Sequence, residues 1–360
     1  MTDSRLPSIR SRHARRHFRP RLLLSLVVAL LAGCGESESE ALLGHYQQHL
    51  ADTLALEPPT RASPENIGAF PERDQRLFEI AETREGMLDV FALRGCHIAS
   101  LVAGRNNQLG RVAPPSQRWL YELELWRQLS GCWNTEVPTT LSDSSRERLS
   151  RLTELKTEQL PRVSWNALFA SEEWVKNFSR ASAPLAPEAL DEAAPRSAAL
   201  AYLREATVRQ FDADWSADSA TLEGHFKTLQ ERPFSAELLR TLLLAEQRLG
   251  EASALLEQAL ARPEGEACPV DPERLTDAPE AARLSEWLAS LERSARHWLG
   301  AIDALLDAQV AAPPAVAEYR RNWLSLDHPG APLPAFAEAR DHHRALLSRL
   351  RRRCQSVAGT

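Results

Sequence analysis

The segment Arg105-Asn106-Asn107-Gln108-Leu109-Gly110-Arg111-Val112-Ala113-Pro114-Pro115-Ser116-Gln117-Arg118 concentrates the side chains best suited to holding a ligand. Three guanidinium groups beside amides and a hydroxyl, next to a helix start, can grip a carboxylate or phosphate. The candidate binding residues are therefore Arg105, Asn106, Gly110, Arg111, Ser116, Gln117 and Arg118. In such a loop Gly110 permits a positive φ, and Pro114-Pro115 set the start of the following helix. The same residues have a competing use. A connection between helices must satisfy free carbonyl and N–H groups, and Asn, Gln, Ser and Arg do so with no ligand at all. Arg118 and Glu122 are also spaced as an ordinary i, i+4 ion pair.

Other chemistry is thinly represented. No GxSxG elbow, SxxK pair or Walker glycine loop occurs, so no residue is assigned a catalytic role. His45 and His49 stand one helical turn apart, and His342-His343 follow Asp341, but no HExxH accompanies either pair. Adjacent helical histidines point about 100° apart and share a metal poorly, so exposed side chains are expected and neither a metal nor a cofactor is assigned. Trp119, Trp126 and Trp133 recur every seven residues. Such a stripe could cradle a glycan or lipid, and at helical spacing it is ordinarily core.

Cys34 carries a different chemistry. Residues 22–34 read Leu-Leu-Leu-Ser-Leu-Val-Val-Ala-Leu-Leu-Ala-Gly-Cys, an apolar run ending in a cysteine behind small residues. The run is shorter than the ~20 residues a spanning helix needs. Behind seven arginines it has the form of a secretory signal peptide with a lipobox. Cleavage before Cys34 and acylation of its thiol with long-chain groups such as palmitate are the expected processing. Anchoring of that kind needs at least two chains. Arg15-Arg16 resembles the twin-arginine export motif, which leaves the route open between that system and general secretion. Gly35-Glu36 lacks the aspartate that retains lipoproteins at the inner membrane, so the periplasmic face of the outer membrane is the expected location.

That address constrains the remaining residues. Removing residues 1–33 takes the formal net charge from −6 to −12, because the segment holds seven arginines and one acid, Asp3. So acidic a chain lacks the basic footprint of a nucleic-acid binder, and no nucleic-acid partner is expected. The expected partners are the membrane, through the anchor, and an envelope protein or anionic envelope component. Arg349, Arg351, Arg352 and Arg353 could meet anionic lipid, though cations also suit a solvated helix C-terminus. Cys96, Cys132, Cys268 and Cys354 remain after lipidation. Gaps of 36, 136 and 86 residues disfavour zinc, and an oxidising compartment favours disulfides. Cys96 and Cys132 fall on consecutive helices and form the natural pair, leaving Cys268 for Cys354. One bridge with two free thiols is the alternative.

The elements that must position these residues are helical. Leucines at 238, 242, 249, 256 and 260 share one face, and Leu284, Leu288, Leu291, Ala295, Trp298, Ile302 and Leu305 repeat the pattern. Helices are expected over 41–56, 74–104, 116–132, 141–160, 165–178, 187–210, 216–230, 235–261, 281–310, 314–325 and 335–353, with breaks at prolines including Pro161. No alternating β-branched run proposes a sheet and no internal repeat emerges. The expected fold is all-α, a bundle-like body of many helices. Its expected organisation is a signal peptide (1–33), a lipidated linker (34–40), an N-terminal lobe (41–180), an Ala/Pro-rich connection (181–200) and a C-terminal lobe (201–360). The connection could equally be a surface loop within one body.

Taken together, a lipobox, a cysteine-bearing helix, R-N-x-x-L-G-x-V, a proline, S-Q-R-x-L-x-Y-E and a second cysteine resemble a family of proteobacterial lipoproteins carrying domain of unknown function 3080. The matching residues are Cys96, Arg105, Asn106, Leu109, Gly110, Val112, Pro115, Ser116, Gln117, Arg118, Leu120, Tyr121, Glu122 and Cys132. Asn107 departs from the pattern, standing where a serine is expected. The resemblance implies a lipoprotein and the first disulfide, and supplies no substrate or catalytic residue. The function expected is that of a lipid-anchored, non-enzymatic binding or scaffold protein facing the periplasm. The alternative is a hydrolase of peptidoglycan or another periplasmic glycan.

Overall fold

Seventeen of the twenty-eight residues in the helix Phe234–Ala261 are buried, and this helix organises the body. The computed structural model describes residues 36–263, 268 and 273–358; Cys34 and the whole signal segment lie outside the described residues. The fold is all-α, with 72% helix and no strand among the described residues. Its principal helices are α1 (Glu38–Leu54), α2 (Met87–Ala92), α3 (Ala99–Asn106), α4 (Gln108–Arg111), α5 (Pro115–Cys132) and α6 (Asp143–Phe169). They continue with α7 (Ala193–Val208), α8 (Ser219–Gln230), α9 (Phe234–Ala261), α10 (Pro279–Asp307) and α11 (Pro332–Ala358).

Packing follows the apolar stripes. The residues of α9 pack along α11 and α1, α7 lies against α10 and α8, and α5 pairs with α6. A large core joins α1, the C-terminal half of α6 and α7 to α11. A smaller core stands apart from it: Leu93, Cys96, Ile98, Leu125, Leu129, Cys132, Leu149 and Leu152. Residues 181–200 hold the short helix Pro187–Glu192 and the start of α7, and Leu185, Leu190, Ala199 and Leu200 join the large core. Disulfides link Cys96 to Cys132 and Cys268 to Cys354.

Two expected boundaries are displaced for physical reasons. The helix expected over 74–104 is broken, because the stretch after the turn Arg73–Arg76 bonds to α6 instead of to itself. The Phe78 N–H donates to Asn166 Oδ1 (2.9 Å), Asn166 Nδ2 donates to the Phe78 carbonyl (2.8 Å), and Trp165 Nε1 donates to the Arg76 carbonyl (2.7 Å). Conversely, α6 runs unbroken through Pro161. An internal proline costs about 3 kcal/mol. Burial of Leu160, Val163, Trp165 and Leu168 around it offsets that cost, at about 1.5–3 kcal/mol per large apolar side chain.

Candidate functional site

Helices α5 and α6 each place one charge inside an apolar register. Glu122 lies three residues after Trp119, and Lys156 lies midway between Leu152 and Leu160. Packing of the two helices makes these charges partners, with Lys156 Nζ 2.8 Å from Glu122 Oε2 and both residues buried. Glu122 is thus held by Lys156 and not by Arg118, contrary to the i, i+4 spacing. Two buried ions need each other, so the pair fixes the register of α5 on α6.

A cover formed by residues 81–111 lies over this pair. Gln159 Nε2 donates to the Ala81 carbonyl (3.0 Å), while Arg148 reaches Glu85 (3.2 Å) and Asp89 (2.9 Å). Helices α2, α3 and α4 contribute no buried residue of their own. What holds the cover is Leu93, Cys96 and Ile98 in the small core, with the Cys96–Cys132 bridge to the end of α5. His97 turns the chain just after the bridge with φ 58°.

Most of the Arg105–Arg118 segment is helical and not an open loop. Gly110 sits inside α4 and is not left-handed; its lack of a side chain serves a close approach. A Cβ there would stand 2.2 Å from the Gly104 carbonyl oxygen and 2.7 Å from that of Arg105. Asn107 Oδ1 caps α4 by accepting from the Gly110 N–H (2.8 Å), and Arg105 Nη1 donates to the Gly110 carbonyl (2.6 Å). The amide at position 107 therefore has a structural use. Gly110→Ala is expected to cost about 1–3 kcal/mol of local stability by overpacking. Trypsin cleavage at Arg105 or Arg111 should then accelerate roughly 5–150-fold, since cleavage tracks the opened population. Unchanged cleavage would set the close-contact explanation aside.

Between cover and helix pair lies a cavity of about 560 Å³. Arg105, Asn106, Arg111, Arg118, Tyr121 and Glu122 of the sequence motif all line it. Ile80 and Arg118 also line an adjoining cavity of about 600 Å³ that runs past Pro114, Pro115 and Ser116. Burial, reinforced by the neighbouring Glu122 carboxylate, pushes the Tyr121 phenol up to about 12, with Arg105 opposing, so it stays a neutral donor at physiological pH. Lys156, Arg148, Gln159 and Thr83 add to the polar lining, together with Glu82, Arg84, Glu85 and Asp89. None of these was singled out from the sequence; Lys156 alone carries a signal there, as a cation within the apolar stripe of a helix.

The predicted residues divide in two. Ser116 Oγ donates to Glu223 Oε1 (2.6 Å), and Gln117 Nε2 donates to Glu223 (2.8 Å) and Ser219 (2.8 Å), so these two tie α5 to α8. Arg105, Asn106, Arg111 and Arg118 face the cavity. Among the described residues neither Arg111 nor Arg118 has a carboxylate at ion-pair distance, and Arg118 Nε is buried with no hydrogen-bond partner. Of the tryptophan stripe, Trp119 is core, Trp126 is half-buried against Phe211 and Trp133 is exposed.

A third cavity of about 330 Å³ lies beside Tyr46 and His343. His343 is buried, contrary to expectation, because only one of two adjacent helical residues can face solvent when α11 lies on α9. His342 takes the exposed position near Glu257. His45 is exposed, and His49 bonds to the Arg274 carbonyl (3.0 Å). Tyr46 Oη lies 2.6 Å from His343 Nε2, and Ser253 Oγ lies 3.1 Å from Nδ1. This wire joins α1, α9 and α11. The buried Ser253 does not line the cavity, so it does not offer a nucleophile there.

Burial, with His342 adding to it, holds His343 down to about 4. Its unfolded value is ~6.5, so its contribution is complete above that pH and is lost as pH falls toward 4. The loss is about 3 kcal/mol at ~1.4 kcal/mol per pH unit. The stability difference between the wild type and His343→Gln should therefore shrink by that amount between pH 7 and pH 4, read by urea unfolding. Parallel pH profiles would contradict it. No group of three or more metal-ligating side chains occurs among the described residues.

Comparison with known proteins extends the motif to most of the chain. No curated protein and no solved structure matches. A family model described as "Protein of unknown function (DUF3080)" matches residues 43–356, which span α1 to α11 and include every residue lining the cavity. The chain belongs to this DUF3080 family.

Proposed function

We propose that this protein is a lipid-anchored binding protein of the bacterial envelope, tethered through Cys34 at the periplasmic face of the outer membrane. Its ligand occupies the cavity beneath residues 81–111. The observation that carries the reading is the convergence of Arg105, Asn106, Arg111, Arg118, Tyr121 and Glu122 on one cavity whose size suits a small molecule. The lipobox supports the tether. Among the described residues no helix is long and apolar enough to cross a membrane.

Two measurements test it. Labelled palmitate should enter the wild type and not Cys34→Ser, and a mature N-terminus at any other residue sinks the anchor. Protein purified from envelopes should carry a non-protein mass in native mass spectrometry, and Arg118→Gln should lose it. Retention by that variant of the same mass at the same occupancy counts against this cavity as the binding site.

A further inference from the structure

The small core and the motif together define what kind of molecule the cavity suits. Its apolar wall is built from Leu93, Ile98, Val102, Leu125, Leu129 and Leu152. On that wall, Arg148 is neutralised by Glu85 and Asp89, and Lys156 by Glu122. Arg105 is engaged by a carbonyl. Arg84, also on the lining, pairs with Glu82. A carbonyl leaves the charge of Arg105 in place, so the lining cations without a carboxylate partner among the described residues are Arg105, Arg111 and Arg118. Arg105 is already held by its hydrogen bond, which leaves Arg111 and Arg118 to meet a ligand. A buried guanidinium N–H with no acceptor, as at Arg118 Nε, costs free energy that an anionic oxygen would restore.

The surroundings carry the same mixture outward. Asp89 and Val90 place α2 on the cavity, and the same helix exposes Met87, Leu88 and Phe91. Leu109 and Val112 flank Arg111 and are 79% and 77% exposed. Large apolar side chains left in water beside a cavity mark a binding surface. A polar ligand would have no use for them, and a purely apolar one would leave the two arginines unpaired.

We propose that the cavity takes an anionic amphiphile, its charged head at Arg111 and Arg118 and its hydrocarbon tail along Ile98, Leu125 and Leu129. This rests on the binding reading above and adds the ligand class to it.

The test uses octyl phosphate, octanol and inorganic phosphate, each below any micelle-forming concentration. Each is titrated calorimetrically into the full processed protein held in phosphatidylcholine nanodiscs, with empty nanodiscs as the blank. Octyl phosphate should bind at least tenfold more tightly than either of the others. Arg118→Gln should weaken it tenfold or more while leaving octanol unchanged. Equal binding of inorganic phosphate reduces the site to an anion site and overturns the proposal, as does equal binding of octanol, which reduces it to an apolar pocket.

Mass spectrometry of the molecule carried from envelopes separates the two readings. An anionic lipid or a fatty acid supports the proposal, and its identity tells which of these is the source. A neutral or non-amphiphilic molecule lost from Arg118→Gln overturns the ligand class and leaves the binding reading intact. No carried mass together with no binding of any probe overturns both.

Discussion

Arg248→Met should lower stability by about 3–5 kcal/mol, the cost of removing one member of a buried ion cluster. The Arg248 side chain is 1% exposed. Its Nη2 donates to Glu40 (3.0 Å) and to the Ala62 carbonyl (3.0 Å), and its Nη1 donates to Glu251 (2.8 Å). Gln47 Nε2 donates to the Arg248 carbonyl (2.9 Å) and to Glu251 (2.8 Å), and the Ala62 N–H donates to Glu251 (3.0 Å). One guanidinium thus fastens α1 and the following segment to α9. Removing it leaves Glu40 and Glu251 half-buried with no cation between them. At roughly 2–3 °C per kcal/mol for a chain of this size, Tm should fall about 6–15 °C. Neutralising both acids in Glu40→Gln/Arg248→Met/Glu251→Gln should recover most of the loss, because the penalty is the stranded charge and not the missing contact. A scanning-calorimetry shift under 2 °C for the single variant would refute this account.

The second large effect belongs to Cys96–Cys132. Closing a loop of 36 residues contributes about 4 kcal/mol in the chain-entropy account. The effect should be local. Helices α2, α3 and α4 bury nothing of their own, so Cys96→Ser/Cys132→Ser should let residues 87–111 open while α9 and α10 remain folded. Amide exchange across 99–106 should speed up by two to three orders of magnitude, at 1.4 kcal/mol per factor of ten, with a far smaller change across 238–256. Equal acceleration in both regions would show that the cover does not open as a separate unit.

The all-α class was legible because leucine periodicity in α9 and α10 needs no tertiary information. The cysteine pairing was expected correctly, although the helices are not consecutive: Cys96 lies in the short turn Arg94–Cys96, and α3 and α4 come between it and α5. The segment around 77–86 was not legible, since Phe78 exchanges its backbone bonds for those of a distant amide, Asn166. Pro161 misled for the same reason in reverse, local propensity yielding to burial. The motif was readable as unusual, yet only folding divides it: Ser116 and Gln117 face Glu223 across 107 and 106 residues of sequence, while Arg111 and Arg118 face the cavity. Lys156 could be seen in the apolar stripe of α6, but its partner could not.

Both disulfides begin after the first helix. Residues 56–72 have no regular structure, and most of 57–66 is exposed. An endopeptidase cut between residues 57 and 61 would therefore sever the chain between α1 and the cysteine-bridged remainder, since no disulfide among the described residues spans that point. If Cys34 is acylated, as proposed, such a cut would change a permanent attachment into a reversible one, governed by how tightly α1 docks on α9 and α10. For the lipid-anchored protein proposed above, proteolytic release from the membrane is in that sense a chemical option, and the ions around Arg248 would set how long the clipped protein stays in place.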